Sequence, residues 1–289
     1  MKKDRKVRLR VFLIVWIVLI VGLLAAVLIV GLGRGENESI REVMRDLVLH
    51  DRNKISFFGL KVNPAVGSAY IVTAVLLIAA LLIRIFAIPR FKTVPGKLQA
   101  VIEKAVDFFG GMASERASRW VTFVSAYIFS AGVYIFFSTV FELFGIQALS
   151  AESRSITLPA PLADINGALA MGVLSFVVIL GAGLFSNGPK GALRVLKDFS
   201  LPISMSFRLY GALLSGLLVS ELVYHYVALS FVLPVIVGVL FTLLHAIIQT
   251  YVLTVLVSIF YGEAVEPFKK KNKKRSNKNL ESESEGVKE

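Results

Sequence analysis

Residues 201–229 read LPISMSFRLYGALLSGLLVSELVYHYVAL, and this stretch decides the fold. It is long and apolar enough to cross a bilayer as a helix. Arg208 is its only basic residue apart from His225, and no acid lies within reach of Arg208 along its own helix. A charge placed there costs about 2.5–3.5 kcal/mol on insertion scales, and roughly 10–17 kcal/mol on an isolated helix. A guanidinium cannot escape by losing its proton, because its pKa stays above about 12. It is tolerated only where it meets water, a partner carboxylate, or both. Arg208 is therefore a candidate for the working part of an ion pathway.

The rest of the 289-residue chain agrees with a membrane setting. Hydrophobic residues make up 56%, mean hydropathy is +0.73 and only 18% of residues are charged. Soluble domains rarely combine such values with several apolar runs of about 20 residues. The net charge of +12 sits at the ends and between the apolar runs, which suits anchoring on the inner membrane face and argues against a nucleic-acid partner. There are no cysteines, so disulfides, thiol catalysis and cysteine metal sites are excluded. The three histidines, His50, His225 and His245, form no ligand cluster in sequence, and no metal or cofactor is expected.

Outward from residues 201–229, further spans are predicted at about 11–32, 68–88, 120–144, 167–185 and 231–261. The first follows MKKDRKVRLR and is too long for a cleaved signal, so it reads as a retained span with its N-terminus inside. Within polar residues 34–67, SIREVMRDLVL has the spacing of a short amphipathic helix. Pro89 and Pro95 break the chain after the second span, and LQAVIEKAVDFFGGMA then reads as a helix along the membrane surface. The segment IQALSAESRSITLPAPLADIN is expected to be an outer loop, and Lys190, Arg194 and Lys197 an inner basic loop. About six spans with both ends inside satisfy the positive-inside bias. The expected fold is an all-α, polytopic membrane protein with a long, tilted C-terminal helical hairpin. Residues 1–67 form an additional N-terminal helix and outer polar segment, 68–268 the membrane domain, and 269–289 a charged, disordered cytoplasmic tail.

Polar residues in the last two spans line up. Helical phase puts Gly211, Ala212 and Ser215 on the face of Arg208, with Ser204 one turn before it. Small side chains on such a stripe let another helix approach closely. Glu221 lies further along, followed by Tyr224 and His225, while His245 and Gln249 share a face of the last span near Thr242. An antiparallel hairpin turning near residues 229–233 sets Glu221 opposite His245 towards the outside, and Gln249 near the level of Arg208. Carboxylate, imidazole and amide groups at two depths suit a water-filled proton or cation path.

These residues resemble a known family. SLPISMSFRLYGALLSG is similar to the arginine-centred signature of subunit a of F-type ATP synthases. VPGKLQAVIEKAVDFF, PLADIN, GPKG and Gln249 extend the resemblance over roughly residues 68–262. It implies an ion-translocating stator with two half-channels, in which Arg208 faces a carboxylate of the rotating c-subunit ring. Ser204, Gly211, Ala212 and Ser215 would contact the ring. Glu221, His245, Gln249 and Ser215 would line the ion path, with Asp164 and Asn166 at its outer mouth. The implied partners are the c-ring, the peripheral-stalk b subunits, the rest of the complex, the lipid bilayer and the translocated proton or sodium ion. The implied location is the cell membrane.

Four departures from the family pattern stand out. Ala212 occupies a place where the family usually has Asn, and Ser215 is a substitute donor nearby. Leu217 stands where many members carry Glu or His, and Glu221, one turn on, is the replacement. The link between GPKG and the arginine helix is short, and the first span is an addition to a five-span core.

A self-contained transporter or channel for protons or small cations is the rival reading. It would need its own substrate site, with inverted repeats or interrupted helices, and neither is visible. Hydrolase chemistry is excluded by the lack of HExxH, GxSxG and a paired-carboxylate motif. No Walker A pattern occurs either, so nucleotide binding belongs to partner subunits and the chain itself is not an enzyme.

Overall fold

The computed structural model describes residues 16–18, 21–22, 45, 54–57, 60–115, 120–149, 155–225 and 233–267. Apart from helical residues 16–18 and 21–22, the predicted first span lies outside them. The same holds for nearly all of the amphipathic stretch 39–49, for residues 226–232 of the hairpin turn, and for the tail.

Helix α1, Pro64–Leu82, begins where its sequence supplies a cap. Asn63 Oδ1 accepts from the Ala65 N–H at 2.9 Å, and Pro64 stands at the first turn, where a missing N–H leaves nothing unsatisfied. Its far end loosens into a π-turn, Ile83–Ala87, then a 3₁₀ turn, Ile88–Arg90. Pro89 accounts for this, since its ring cannot follow an unbroken α-helical ladder. Helix α2, Lys97–Ser114, is the predicted amphipathic segment. Buried Gln99 pins the preceding connection to it. Its Oε1 accepts from the Lys92 N–H at 3.0 Å and its Nε2 donates to Lys92 O at 2.8 Å.

Helix α3, Val121–Val140, runs on into a 3₁₀ turn, Phe141–Phe144. The predicted outer loop after it is partly a two-stranded antiparallel ribbon, β3 Gln147–Leu149 with β4 Ser155–Thr157. A second ribbon, β1 Ile55–Phe57 with β2 Leu60–Val62, precedes α1. Strands of three residues are too short to write an alternating pattern into the sequence. A buried turn, Pro161–Ala163, then leads to α4, Ile165–Lys197.

Helix α4 corrects the expectation of an inner basic loop, because Lys190, Arg194 and Lys197 are helical. The chain breaks direction at Gly188, with φ 65° and ψ −158°, a conformation essentially reserved for glycine. Pro189 then starts a new helical piece at a position where proline is favoured. Helix α5, Ser200–His225, carries Arg208, and α6, Leu233–Val265, carries His245 and Gln249. At 1.5 Å per residue α6 is about 50 Å long, well beyond the roughly 30 Å hydrocarbon core.

Five helical segments among the described residues have the length and composition to cross a bilayer. The chain is an all-α, multi-pass membrane protein. Its core lies between α3, α4, α5 and α6, where Ile128, Ile179, Leu209 and Val257 are at most 1% exposed. Lipid tails are as apolar as leucine, so burial of such side chains alone does not hold membrane helices together. Close approach and polar links do. A Cβ at Gly172 would run into Ser206 Oγ and Pro202 O, so α4 and α5 touch backbone to backbone there. Thr250 Oγ1 donates to Gly132 O at 3.4 Å, joining α6 to α3, and Tyr127 and Ser175 share a 2.7 Å hydrogen bond between α3 and α4. Ser258 Oγ donates to Met112 O, tying α6 to α2. Helix α1 stands apart, with Val75 and Leu77 largely exposed and Val72 as its buried link to Phe141 and Leu158.

Candidate functional site

The two faces of α5 have opposite character. Leu201, Met205, Leu209 and Leu213 recur every four residues and are buried. Ser204, Phe207, Arg208, Gly211 and Ser215 emerge on the exposed side, with Ala212 half-buried beside them. The predicted stripe is thus exposed among the described residues. Among the described residues no carboxylate lies within ion-pair distance of the Arg208 guanidinium. The surface around it is apolar, with Ile203, Phe207, Ile247, Ile248 and Tyr251 all exposed.

Helix α6 flanks this face. Gln249 is buried, and its Nε2 donates to the main-chain oxygen of Arg208 at 3.5 Å. This places Gln249 at the depth of Arg208, as the hairpin register predicts. His245 sits one turn nearer the start of α6, half-buried, with its ring stacked on Phe241 and Nδ1 2.7 Å from Phe241 O. Thr242 is buried on the same stretch. Ser215 Oγ is turned back onto its own helix, donating to Ala212 O at 2.8 Å. Glu221, Tyr224 and His225 are helical, and their side chains lie outside the described residues.

Asp164 and Asn166 lie at the start of α4, next to the turn Pro161–Ala163 that packs against α5. Asp164 caps α4: its Oδ1 accepts from the N–H groups of Asn166 at 2.9 Å and Gly167 at 3.4 Å. Its Oδ2 accepts from Asn63 Nδ2 at 2.6 Å, so the capping residues of α1 and α4 are joined directly. Asn166 itself is exposed. The Asn63 link spans 101 positions, and no local signal announces it.

A clasp at the Gly188 end of the bundle also escaped the sequence reading. Arg194 Nη1 donates to the carbonyls of Glu263 and Glu266, both at 3.0 Å. Asn187 Nδ2 donates to those of Ala264 at 2.9 Å and Glu266 at 3.0 Å. The last carbonyls of α6, which have no partner within the helix, are therefore met by a cation and an amide from the two sides of the Gly188 break. This fixes the depth of α6, and with it the level at which Gln249 meets α5.

Comparison with known proteins shows the family. Residues 68–262 match the family described as ATP synthase A chain. The chain is similar to "ATP synthase subunit a" of Cereibacter sphaeroides strain ATCC 17025, at 26% identity over 204 residues covering 66% of this chain and 77% of the relative. The protein of the same name from strain ATCC 17029 shows the same identity and coverage. The family match takes in most of the chain and contains the arginine face, together with Asp164, Asn187 and Arg194. The chain therefore belongs to the ATP synthase A chain family, as a non-catalytic subunit of the proton-translocating membrane sector of ATP synthase.

Proposed function

We propose that this chain is the stator against which a ring of c subunits turns, and that Arg208 is its working residue. An ion enters from one side through an aqueous half-channel and neutralises a carboxylate on the ring, which lets that site pass into lipid. When the loaded site returns to Arg208, the fixed positive charge favours the ionised carboxylate and so expels the ion into the second half-channel. A neighbouring opposite charge lowers a carboxylate's pKa by roughly 1–3 units, enough to reverse occupancy. The same charge hinders direct leakage between the half-channels. Each elementary charge crossing 100 mV contributes about 2.3 kcal/mol, so several transfers drive each ATP formed elsewhere in the complex.

The observation that carries this reading is the exposed guanidinium of Arg208, without a carboxylate partner among the described residues, on a face of small side chains. A charge so placed needs its counter-charge from another polypeptide. Ser204, Gly211, Ala212 and Ser215 supply the close contact with the ring. Glu221, His245, Gln249 and Ser215 line the path, and Asp164 and Asn166 frame its outer mouth. The b subunits of the peripheral stalk hold the chain against rotation. The chain resides in the cell membrane with both termini cytoplasmic.

The absence of cysteine permits a clean test. Single cysteines at Ser204 or Gly211, paired with cysteines on the ring's outer helix, should form disulfides in the assembled complex. A cysteine at Val75 on α1 should not. Cross-links from Val75 together with none from α5 would overturn the assignment of this face.

A further inference from the structure

Near the middle of α3, Gly132 is buried, and side chains from α2 and α6 close on the space it leaves. A Cβ there would stand 2.6 Å from Phe109 Cε1 and 2.9 Å from Phe109 Cζ on α2, and 3.2 Å from Thr254 Cγ2 on α6. The Gly132 carbonyl accepts from Thr250 Oγ1, also on α6, at 3.4 Å. Phe109, Thr250 and Thr254 are all buried. The Phe109 ring is braced edge to face by Phe108 and Phe129, with ring centroids 5.3 and 5.6 Å away, so it has little room to turn aside. Carbon atoms in contact settle at about 3.5–4.0 Å, so a single methyl at Gly132 needs about 1 Å of extra separation between the helices.

That separation does not stay local. Thr254 takes the push directly. Helix α2 is also tied to α6 one turn beyond Phe109, where Ser258 Oγ donates to Met112 O, so an α2 displaced through its phenyl ring draws α6 with it. Thr250 is next in the chain to Gln249, whose Nε2 donates to Arg208 O. Neighbouring residues of a helix point about 100° apart, and here one reaches α3 while the other reaches α5. At this level α6 is a spacer, one helix thick, between Gly132 and the main chain of Arg208.

We propose that Gly132 is a positioning residue for the arginine face. Its missing side chain sets how closely α6 lies against α3, and through Thr250 and Gln249 it sets where α6 stands beside Arg208. Gly132 touches no ion and acts only through α6. Enlarging it shifts His245 and Gln249 relative to Arg208 and impairs ion transfer in a complex that still assembles. This rests on the role given above to Arg208.

The test is ATP synthesis per assembled complex, in membranes energised by an imposed proton gradient. A misplacement of about 1 Å, caused far from the reacting atoms, can cost on the order of a hundredfold in rate, and Gly132→Ala should lower synthesis roughly tenfold or more. Phe109→Leu removes Cε1 and Cζ, the two atoms that a Cβ at Gly132 meets first, and alone should leave synthesis close to wild type. Gly132→Ala combined with Phe109→Leu should regain most of the lost rate, a rescue per complex that a residue needed only for assembly would not show. Wild-type synthesis in an assembled Gly132→Ala complex overturns the proposal, and so does a loss that Phe109→Leu leaves unrepaired. Either result leaves the function of the chain intact, provided Arg208→Ala still abolishes coupling. If Gly132→Ala does not assemble, Thr250→Val decides, because it exchanges for a methyl the hydroxyl that holds α6 to Gly132 O. Synthesis lowered several-fold at normal assembly supports the proposal, and unchanged synthesis overturns it.

Discussion

Gln249 Nε2 donates to the main-chain oxygen of Arg208 at 3.5 Å, so the amide of one long helix marks the depth of the guanidinium on the other. The bond is long and joins neutral groups, and its net contribution is at most about 1 kcal/mol. It aligns the helices, and it leaves the guanidinium unneutralised.

Gln249→Ala should therefore assemble and retain coupling, with ATP synthesis lowered several-fold at most. Proton pumping driven by ATP hydrolysis in membrane vesicles measures this. Abolition of pumping in a fully assembled variant would mean that Gln249 itself handles the ion.

The break in α4 depends on Gly188. A side chain at its φ of 65° and ψ of −158° costs on the order of 1–3 kcal/mol. Gly188→Val should lower the amount of subunit in the assembled complex, measured by immunoblot of purified membranes. An unchanged level would show that the break tolerates an L-residue.

Arg194 holds two carbonyls at the end of α6. Arg194→Ala removes a charged donor from a helix C-terminus and should destabilise that end by about 1–2 kcal/mol. Hydrogen exchange over residues 260–266 should rise by roughly ten-fold, the equivalent of 1.4 kcal/mol. Arg194→Lys, with a single compact ammonium in place of the fork, should fall between the two. Equal exchange in wild type and Arg194→Ala would contradict the clasp.

The Asn63 and Asp164 side chains meet at 2.6 Å. Asn63→Asp puts two carboxylates in contact, and like charges at that distance repel unless one holds a proton. The variant complex should lose thermal stability near pH 8 and recover most of it near pH 5, where a shared proton restores the bond. A pH-independent melting temperature equal to that of wild type would show that the cap-to-cap tie contributes nothing.

Much of this arrangement was legible in the chain itself. Long apolar runs marked α1, α3, α4, α5 and α6, because a bilayer demands continuous apolar helices. The stripe of Ser204, Gly211 and Ser215 beside Arg208 followed from helical phase alone. The register that levels Gln249 with Arg208 followed from assuming an antiparallel hairpin. The helical piece after Gly188 was hidden because Gly-Pro reads as a loop, while here the glycine supplies the break and the proline starts the next helix. The Asn63–Asp164 tie and the Arg194 clasp were hidden by distance along the chain.

Arg208 is where the account is most exposed. ATP synthesis driven by an imposed proton gradient, measured on membranes carrying Arg208→Ala in place of wild type, tests it most directly. With assembly verified, the account predicts no coupled synthesis and no ATP-driven pumping. Wild-type coupling in an assembled Arg208→Ala complex would contradict it.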